Sequence, residues 1–354
     1  MSGKVSHLAI LCVRNEGAFL LEWLAHHRAI GFDHVLVFSN DCDDGTDDML
    51  DRLQALGGVT HIRNDGPYEK GGIQFTALKA AAELEIVQQA DWILPLDVDE
   101  FVNIHVGDHS LSALHAALPE ATAITLTWRL FGSADQVRYE DRPVTEGFTR
   151  CAPAVMHWPW RAAMFKTLYR NDGTYAQPGV HRPRGPNPAR LDQSRWYDGH
   201  GRALPDLFKT RRIFSTYGRQ NYGLAQINHY PLGAMESYVL KADRGRAVHR
   251  ADMLGLNYWV ERNFNTETDT TINASAPARA RELAALKADK TLAALHETAV
   301  ARRRTRFDAL MAQEPFRALF GRLLMAPPSR PVTAKAARIM LDYARRAQAA
   351  EPSQ

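Results

Sequence analysis

Trp92-Ile93-Leu94-Pro95-Leu96-Asp97-Val98-Asp99-Glu100-Phe101 joins an apolar run to a cluster of carboxylates, and its reading decides the fold. Two carboxylates spaced i, i+2 along a strand point to opposite faces. Where the strand opens into a turn, Asp97 and Asp99 can instead converge on one point. Hard oxygen ligands so placed suit Mg²⁺ or Mn²⁺, with coordination positions left for nucleotide phosphates. A bare D-x-D is common; this one has weight because it ends the fourth strand of an alternating βα pattern.

Upstream, Leu8 to Val13 is a continuous apolar run, as in a strand covered on both faces. After Asn15-Glu16-Gly17, the residues Leu20, Trp23, Leu24 and His27 recur at helical spacing. His34 to Phe38 reads as a second strand, ending in the acidic loop Ser39 to Gly45. Thr46 is expected to cap the next helix, with Asp47 and Asp48 in its first turn and Met49, Leu50, Leu53 and Leu56 on its buried stripe. Val59 to Ile62 reads as a third strand. Gly71-Gly72 precedes a helix carrying Phe75, Leu78, Ala82 and Ile86, and Ala90 to Leu94 is the fourth strand. This order predicts a Rossmann-like, mainly parallel sheet with right-handed crossovers and helices on both faces. Ligands of such sheets sit at the carboxyl ends of the strands, where the acidic loops lie. Pro95 is an irregularity, since proline removes a ladder donor.

Downstream the pattern is mixed. Ala123 to Leu130 and Phe165 to Tyr169 read as strands, and Pro178 to Pro205 as a long loop rich in Pro, Gly, Arg and Asp. From about residue 276, Ala, Arg, Glu and Leu predict helices on or beside the core. The 354 residues are 45% hydrophobic, enough for one large core with an added lobe. A net charge of +3, from 43 basic and 40 acidic residues, argues against nucleic acid as a partner. Cys12, Cys42 and Cys151 form neither a zinc spacing nor a disulfide framework, which favours a reducing compartment. The Met1-Ser2-Gly3-Lys4 start lacks a signal-peptide or membrane-span length of apolar sequence, so a cytoplasmic location is expected.

Neither G-x-G-x-x-G nor a Walker lysine motif is present, which disfavours dinucleotide dehydrogenases and P-loop enzymes. Asp43 and Asp44 stand where a ribose hydroxyl or base N–H would be met, though a solvated turn accounts for them equally. His229, between apolar and aromatic neighbours, could complete the metal shell of Asp97 and Asp99, or be an ordinary core histidine. Lys241 and Arg244, on a helix from Met235, could meet phosphate oxygens or line a solvated face. Trp128, Arg129, Lys166 and His181 form a further cluster, in which aromatic rings could stack on a sugar or simply fill the core.

Asn15-Glu16, Asp43-Asp44-Gly45-Thr46, Leu96-Asp97-Val98-Asp99-Glu100-Phe101, Trp128-Arg129-x-Phe131-Gly132, Phe165-Lys166-Thr167, Asn228-His229-Tyr230 and Lys241-x-x-Arg244-Gly245 occur in that order. Together, over roughly residues 6 to 245, they resemble the family 2-like and family 92 glycosyltransferases of GT-A fold. The resemblance implies a catalytic domain over 1–245, with a nucleotide half over about 1–105 and an acceptor half over about 106–245. A mainly helical extension would follow over 246–354. It implies an inverting, metal-dependent transfer of a sugar from a nucleotide diphosphate donor, a UDP-sugar in most relatives. The acceptor would be a glycan or lipid-linked hydroxyl, in polysaccharide synthesis. Asn15 and Glu16 would lie beside the nucleotide and Asp43 or Asp44 at the base or ribose. Asp97, Asp99 and His229 would face Mn²⁺ or Mg²⁺ and the diphosphate, with Lys241 and Arg244 closing over the phosphates. Trp128, Arg129, Lys166 and His181 would serve the acceptor side. For the general base the candidates are Asp192, Asp198 and Glu146, none in a specific motif.

A sugar-nucleotide nucleotidyltransferase is the second enzyme reading. Such enzymes place a glycine-rich basic loop after the first strand, where this chain has Arg14-Asn15-Glu16-Gly17. A non-enzymatic carbohydrate-binding module on the same sheet is the third. Arg302-Arg303-Arg304 and Arg345-Arg346 suit either a peripheral membrane contact or a solvated packing helix, the latter preferred.

Overall fold

The structure is a computed structural model that describes residues 6–68, 71–244 and 255–350. Strands β1 (His7–Val13), β2 (His34–Ser39), β3 (Val59–Arg63) and β4 (Trp92–Leu96) alternate with helices α1 (Gly17–Ala29), α2 (Thr46–Leu56) and α3 (Ile73–Ala81). The helical stripe expected to run on to Ile86 breaks after α3, and a separate short helix spans Glu85–Gln89. The chain continues through β5 (Glu100–Ile104), β6 (Ala123–Leu130), β7 (Phe165–Arg170), β8 (Trp196–Asp198) and β9 (Ala225–His229). These nine strands form one sheet in the order β3-β2-β1-β4-β7-β6-β9-β5, with β8 paired to β6.

The β3-β2-β1-β4 half is parallel throughout, with Ala9 opposite both Val35 and Leu94. Beyond β4 the pairing is mixed: β7 runs antiparallel to β4 and β6, β9 parallel to β6, and β5 antiparallel to β9. Because β7 meets β4 only at Trp92 and Ile93, Pro95 falls beyond that pairing and has β1 on one side. The long Pro178 to Pro205 stretch is more ordered than its composition suggests. It holds the Arg184–Pro186 partner of a short hairpin, a helical turn at Pro188–Leu191, and β8, whose Trp196 is buried.

Alternation along β1 sends Ala9, Leu11 and Val13 to one face and Leu8 and Ile10 to the other. On the first face they meet Leu20, Leu24, Leu50 and Leu53 of α1 and α2. On the second they meet Ala77, Leu78 and Ala81 of α3, so helices cover both faces. After α4 (Met235–Arg244) come α5 (Ala276–Lys287), α6 (Lys290–Met311), α7 (Glu314–Met325) and α8 (Ala334–Ala350). Leu286, Leu292 and Ala299 lie in the same apolar core as the sheet, so α5 and α6 share that core. Leu319 and Leu323 of α7 pack with Tyr238 and Val239 of α4. Gly17 permits a close approach of α1 to α6: a Cβ there would lie 2.8 Å from Ala299 Cβ. Among the described residues no helix is long and apolar enough to cross a membrane.

Candidate active site

The turn after β4 places the two aspartates differently. The Glu100 N–H donates to the Asp97 carbonyl at 3.0 Å, closing the turn, and β5 starts at once. Antiparallel pairing sets His229 opposite Glu100, and the Tyr230 N–H donates to the Asp99 carbonyl at 2.8 Å. This register brings His229 Nε2 within 3.6 Å of Asp99 Oδ1, and Lys241 Nζ of α4 donates to Asp99 Oδ2 at 2.8 Å. Burial would raise the Asp99 pKa, but Lys241 and then His229 outweigh it and hold the carboxyl well below the usual range. Burial lowers the His229 pKa despite Asp99, so the ring is neutral near pH 7; its Nδ1 is buried without a partner among the described residues.

Asp97 belongs to a second cluster. Its Oδ2 accepts from Lys166 Nζ at 2.9 Å and its Oδ1 from Gln74 Nε2 at 2.9 Å. Lys166 also lies 3.4 Å from Glu100, whose other carboxylate oxygen accepts from Trp128 Nε1 at 2.6 Å. Burial opposes the Lys166 charge, but Asp97 and Glu100 prevail and raise its pKa. Burial pushes Glu100 up to about 8. The Trp128 ring packs on His229 and His181 at centroid distances of 4.3 and 5.6 Å, and burial lowers the His181 pKa to about 4. The expected convergence of both aspartates therefore takes another form: each carboxylate has its own lysine. Among the described residues no group of three or more His, Cys, Asp or Glu is placed to hold a metal.

At the carboxyl ends of β1 and β2 the loops are locked together. Asn15, in the left-handed region at φ 54°, accepts the Asp43 N–H through Oδ1 at 2.8 Å. The Asp44 carboxylate accepts from the Gly17 N–H at 3.2 Å, and from the Thr46 N–H and hydroxyl at 2.9 and 2.6 Å. Asp44, not Thr46, thus satisfies the start of α2, whose preceding residue is Gly45. Glu16 accepts from Arg244 Nη1. These loops, Asp99, Lys241 and Arg244 border a cavity of about 890 Å³ whose far wall is α6. That volume is within the range of ligand sites. Asp43 lines it with a carboxylate that lies in the field of Arg306 and that no described hydrogen bond or ion pair engages.

Other expected site residues lie elsewhere. Asp198 is buried; its Oδ1 accepts from the backbone N–H of His200 and Arg202 at 3.0 and 2.9 Å, and its Oδ2 pairs with Arg202 and Arg219. Asp192 is exposed at the end of the Pro188–Leu191 turn, and Glu146 is exposed and pairs with Arg279 at 3.0 Å. None of the three lines the cavity, so none is placed as its base. Arg129 faces away from Trp128 because neighbours on β6 alternate; it donates to the Ala152 carbonyl at 2.9 Å and to Glu267 at 2.6 Å. Gly132 of the same motif serves packing, since a Cβ there would lie 2.7 Å from the Phe264 carbonyl oxygen. Gly245 lies outside the described residues.

Arg302 and Arg303, expected on a solvated packing helix or a membrane contact, instead line the cavity from α6 together with Arg306. Their spacing on one helical face with Ala299 was the available signal. Arg304, the third of the run, is exposed and outside the cavity wall.

A family model described as glycosyltransferase family 92 matches residues 9–185, half of the chain. The match takes in the Asn15–Glu16 and Asp43–Asp44 loops, both aspartates, Lys166 and His181, and stops before His229 and α4. A glycosyltransferase family 92 protein of Ricinus communis is 26% identical over 160 residues, which are 42% of this chain and 26% of that protein. Another, of Oryza sativa subsp. japonica, is 24% identical over 154 residues, 41% of this chain and 25% of that protein. The chain thus spans about a quarter of the length of the curated relatives it matches. The crystal structure of S. aureus TarS 1–349 in complex with UDP-GlcNAc is 16% identical, with a TM-score of 0.31, over 47% of this chain and 46% of that one. On the strength of the family match over half its length, this chain belongs to glycosyltransferase family 92.

Proposed function

We propose that this protein transfers a sugar from a nucleotide diphosphate donor, a UDP-sugar, to a hydroxyl acceptor with inversion. The observation that carries this reading is the meeting of Asp99, Lys241 and the Arg244–Glu16 pair on one cavity, with His229 behind Asp99, at the carboxyl ends of the strands of a mainly parallel sheet. Lys241 and Arg244 attract the two phosphates, and Arg244 is held in place by Glu16 and by the Arg14 carbonyl at 2.7 Å. Asp43, whose carboxylate no described hydrogen bond engages, in the loop after β2, is the acceptor for a ribose hydroxyl or base N–H.

The donor set fits a divalent cation with two protein ligands. Asp99 Oδ1 and the neutral His229 Nε2 are adjacent, and Mg²⁺ or Mn²⁺ takes few protein ligands when substrate phosphates and water complete its shell. When bound, such an ion supplies Lewis-acid stabilisation of the departing diphosphate. Asp97 stays with Lys166 and Gln74 and, like Trp128 and His181, lies behind the cavity lining, so its cluster holds the turn that carries Asp99. Lys166 keeps a positive charge against Asp97 and Glu100 and so balances the two carboxylates behind the site.

Release of UDP from UDP-sugars, measured with and without Mn²⁺, tests the reading. Expected is metal-stimulated release lost in Asp99→Ala; release indifferent to chelator and to that substitution would refute the mechanism. Release of pyrophosphate in place of UDP would identify a nucleotidyltransferase instead.

A further inference from the structure

Each lysine and arginine that lines the cavity, except one, has a protein oxygen acceptor among the described residues. Lys241 donates to Asp99, Arg244 to Glu16, Arg14 to the Arg244 carbonyl, Arg142 to Gln136, Arg302 to the Asp43 carbonyl and Arg306 to both oxygens of Asp243. Arg303 has none. Its guanidinium lies over two rings, 4.7 Å from the Phe19 centroid and 4.8 Å from that of Tyr139. Those rings pack edge to face with centroids 5.9 Å apart. The Nε–H is buried without a partner, and no hydrogen bond or ion pair engages the rest of the fork among the described residues.

The Nε–H, removed from water without an acceptor, forfeits a hydrogen bond that the rings cannot replace. The aromatic faces attract the cation and fix its plane, which presents the fork ready for a bidentate oxyanion. Burial lowers the Arg303 pKa to about 10, which leaves the side chain charged at neutral pH. Glu16, Asp44 and Arg244 lie within its field, which puts it on the nucleotide side of the cavity.

We infer that Arg303 of α6 is an oxyanion receptor that takes the diphosphate of the nucleotide donor, so that the carboxy-terminal helices are part of the donor site. The assignment rests on the nucleotide-sugar reading above. It gives α6 a binding role outside the family-matched residues 9–185.

Calorimetric titration of the full chain with UDP, uridine and inorganic pyrophosphate tests it, on wild type and on Arg303→Gln, Arg303→Lys and Arg304→Gln. Expected in Arg303→Gln is about tenfold or greater loss of affinity for UDP and pyrophosphate, with uridine unchanged. Arg303→Lys, which keeps charge and stem but not the fork, recovers part of the loss. Arg304→Gln, on the exposed face, binds as wild type. Circular dichroism identifies any variant that fails to fold, and Arg303→Lys then carries the comparison. Equal UDP affinity in wild type and the Arg303 variants overturns the assignment and leaves the glycosyltransfer reading standing. Arg303-dependent pyrophosphate binding without UDP binding supports an oxyanion receptor and overturns the nucleotide as its ligand. A wild type that binds none of the three overturns both.

Discussion

Lys241 Nζ donates to Asp99 Oδ2 at 2.8 Å across 142 positions of sequence, so the carboxylate beside β5 is neutralised by a residue of α4. A divalent cation drawn to Asp99 competes with that ammonium for the same oxygens. Lys241→Met is expected to tighten Mn²⁺ binding severalfold while weakening UDP by about tenfold, because the lysine also serves the phosphates. Asp99→Asn is expected to abolish the Mn²⁺ effect. Electron paramagnetic resonance of free Mn²⁺ reads both, and Mn²⁺ binding indifferent to either substitution would remove the cation from Asp99.

The Arg244–Glu16 pair ties α4 to the loop after β1. Burial raises the Glu16 pKa, and Arg244 is the main charge that counters it. Removing one partner strands the other charge in a poorly solvated place. Full burial would make that cost about 3–5 kcal/mol; with Arg244 22% exposed, about 2–3 kcal/mol is expected for Glu16→Ala in urea unfolding. A loss under about 0.5 kcal/mol would mean solvent already screens the pair.

How much of this was legible in the sequence follows from the range of each interaction. The strands β1, β2 and β4 contain uninterrupted apolar runs, which need no partner to be recognised, and β3, Val59-Thr60-His61-Ile62-Arg63, follows from its place in the alternation. The proximity of His229 to Asp99 was reachable only through ordered motifs, since it depends on the β9–β5 register. The lysine partners of the two aspartates were read as separate phosphate and acceptor groups, because pairing across 69 and 142 positions leaves no local pattern. Asp198 looked like a candidate base because a carboxylate that shapes a turn and one that takes a proton are the same residue type; only its four protein donors tell them apart. Arg302 and Arg303 suggested a solvated or membrane-facing helix because an arginine run does not reveal what its face meets.

Acid should destabilise the fold through two histidines of α1. His26 and His27 are buried under β5, with His26 Nε2 2.7 Å from the Val102 carbonyl and His27 Nδ1 2.8 Å from that of Trp23. Burial lowers the His26 pKa to about 3; burial and then the neighbouring His26 hold His27 well below its ordinary value. In the unfolded chain both take up a proton near about pH 6.5. Between that value and the lower folded-state values the unfolded chain binds more protons, so stability rises with pH. It is fully present above about pH 6.5 and declines as pH falls, by up to about 1.4 kcal/mol per pH unit for each histidine. Thermal melts from pH 7.5 to 4.5 check this, and His26→Gln, which keeps a donor for Val102, should flatten the profile by about one proton. An unchanged slope would assign the acid sensitivity to other groups.

The close approach of α1 to α6 offers a way to move Arg303 without touching it. A methyl group at Gly17 would sit 2.8 Å from Ala299 Cβ and 3.1 Å from Met49 Sδ, so either α6 shifts outward or α1 does. Gly17→Ala is expected to cost about 1–3 kcal/mol by overpacking, less any gain from replacing glycine in a helix. Displacing α6 also moves the Arg303 guanidinium from Phe19 and Tyr139, so UDP affinity should fall with it. Ala299→Gly alone weakens α6 by up to about 1 kcal/mol and leaves its position unchanged. Combined with Gly17→Ala it removes the clash with α6, leaving only the Met49 contact, so UDP affinity should return toward wild type although stability does not. That opposite movement of affinity and stability is the signature of coupling through helix position, and a double-mutant cycle measures it. If the two substitutions are additive in affinity, the nucleotide does not sense where α6 sits.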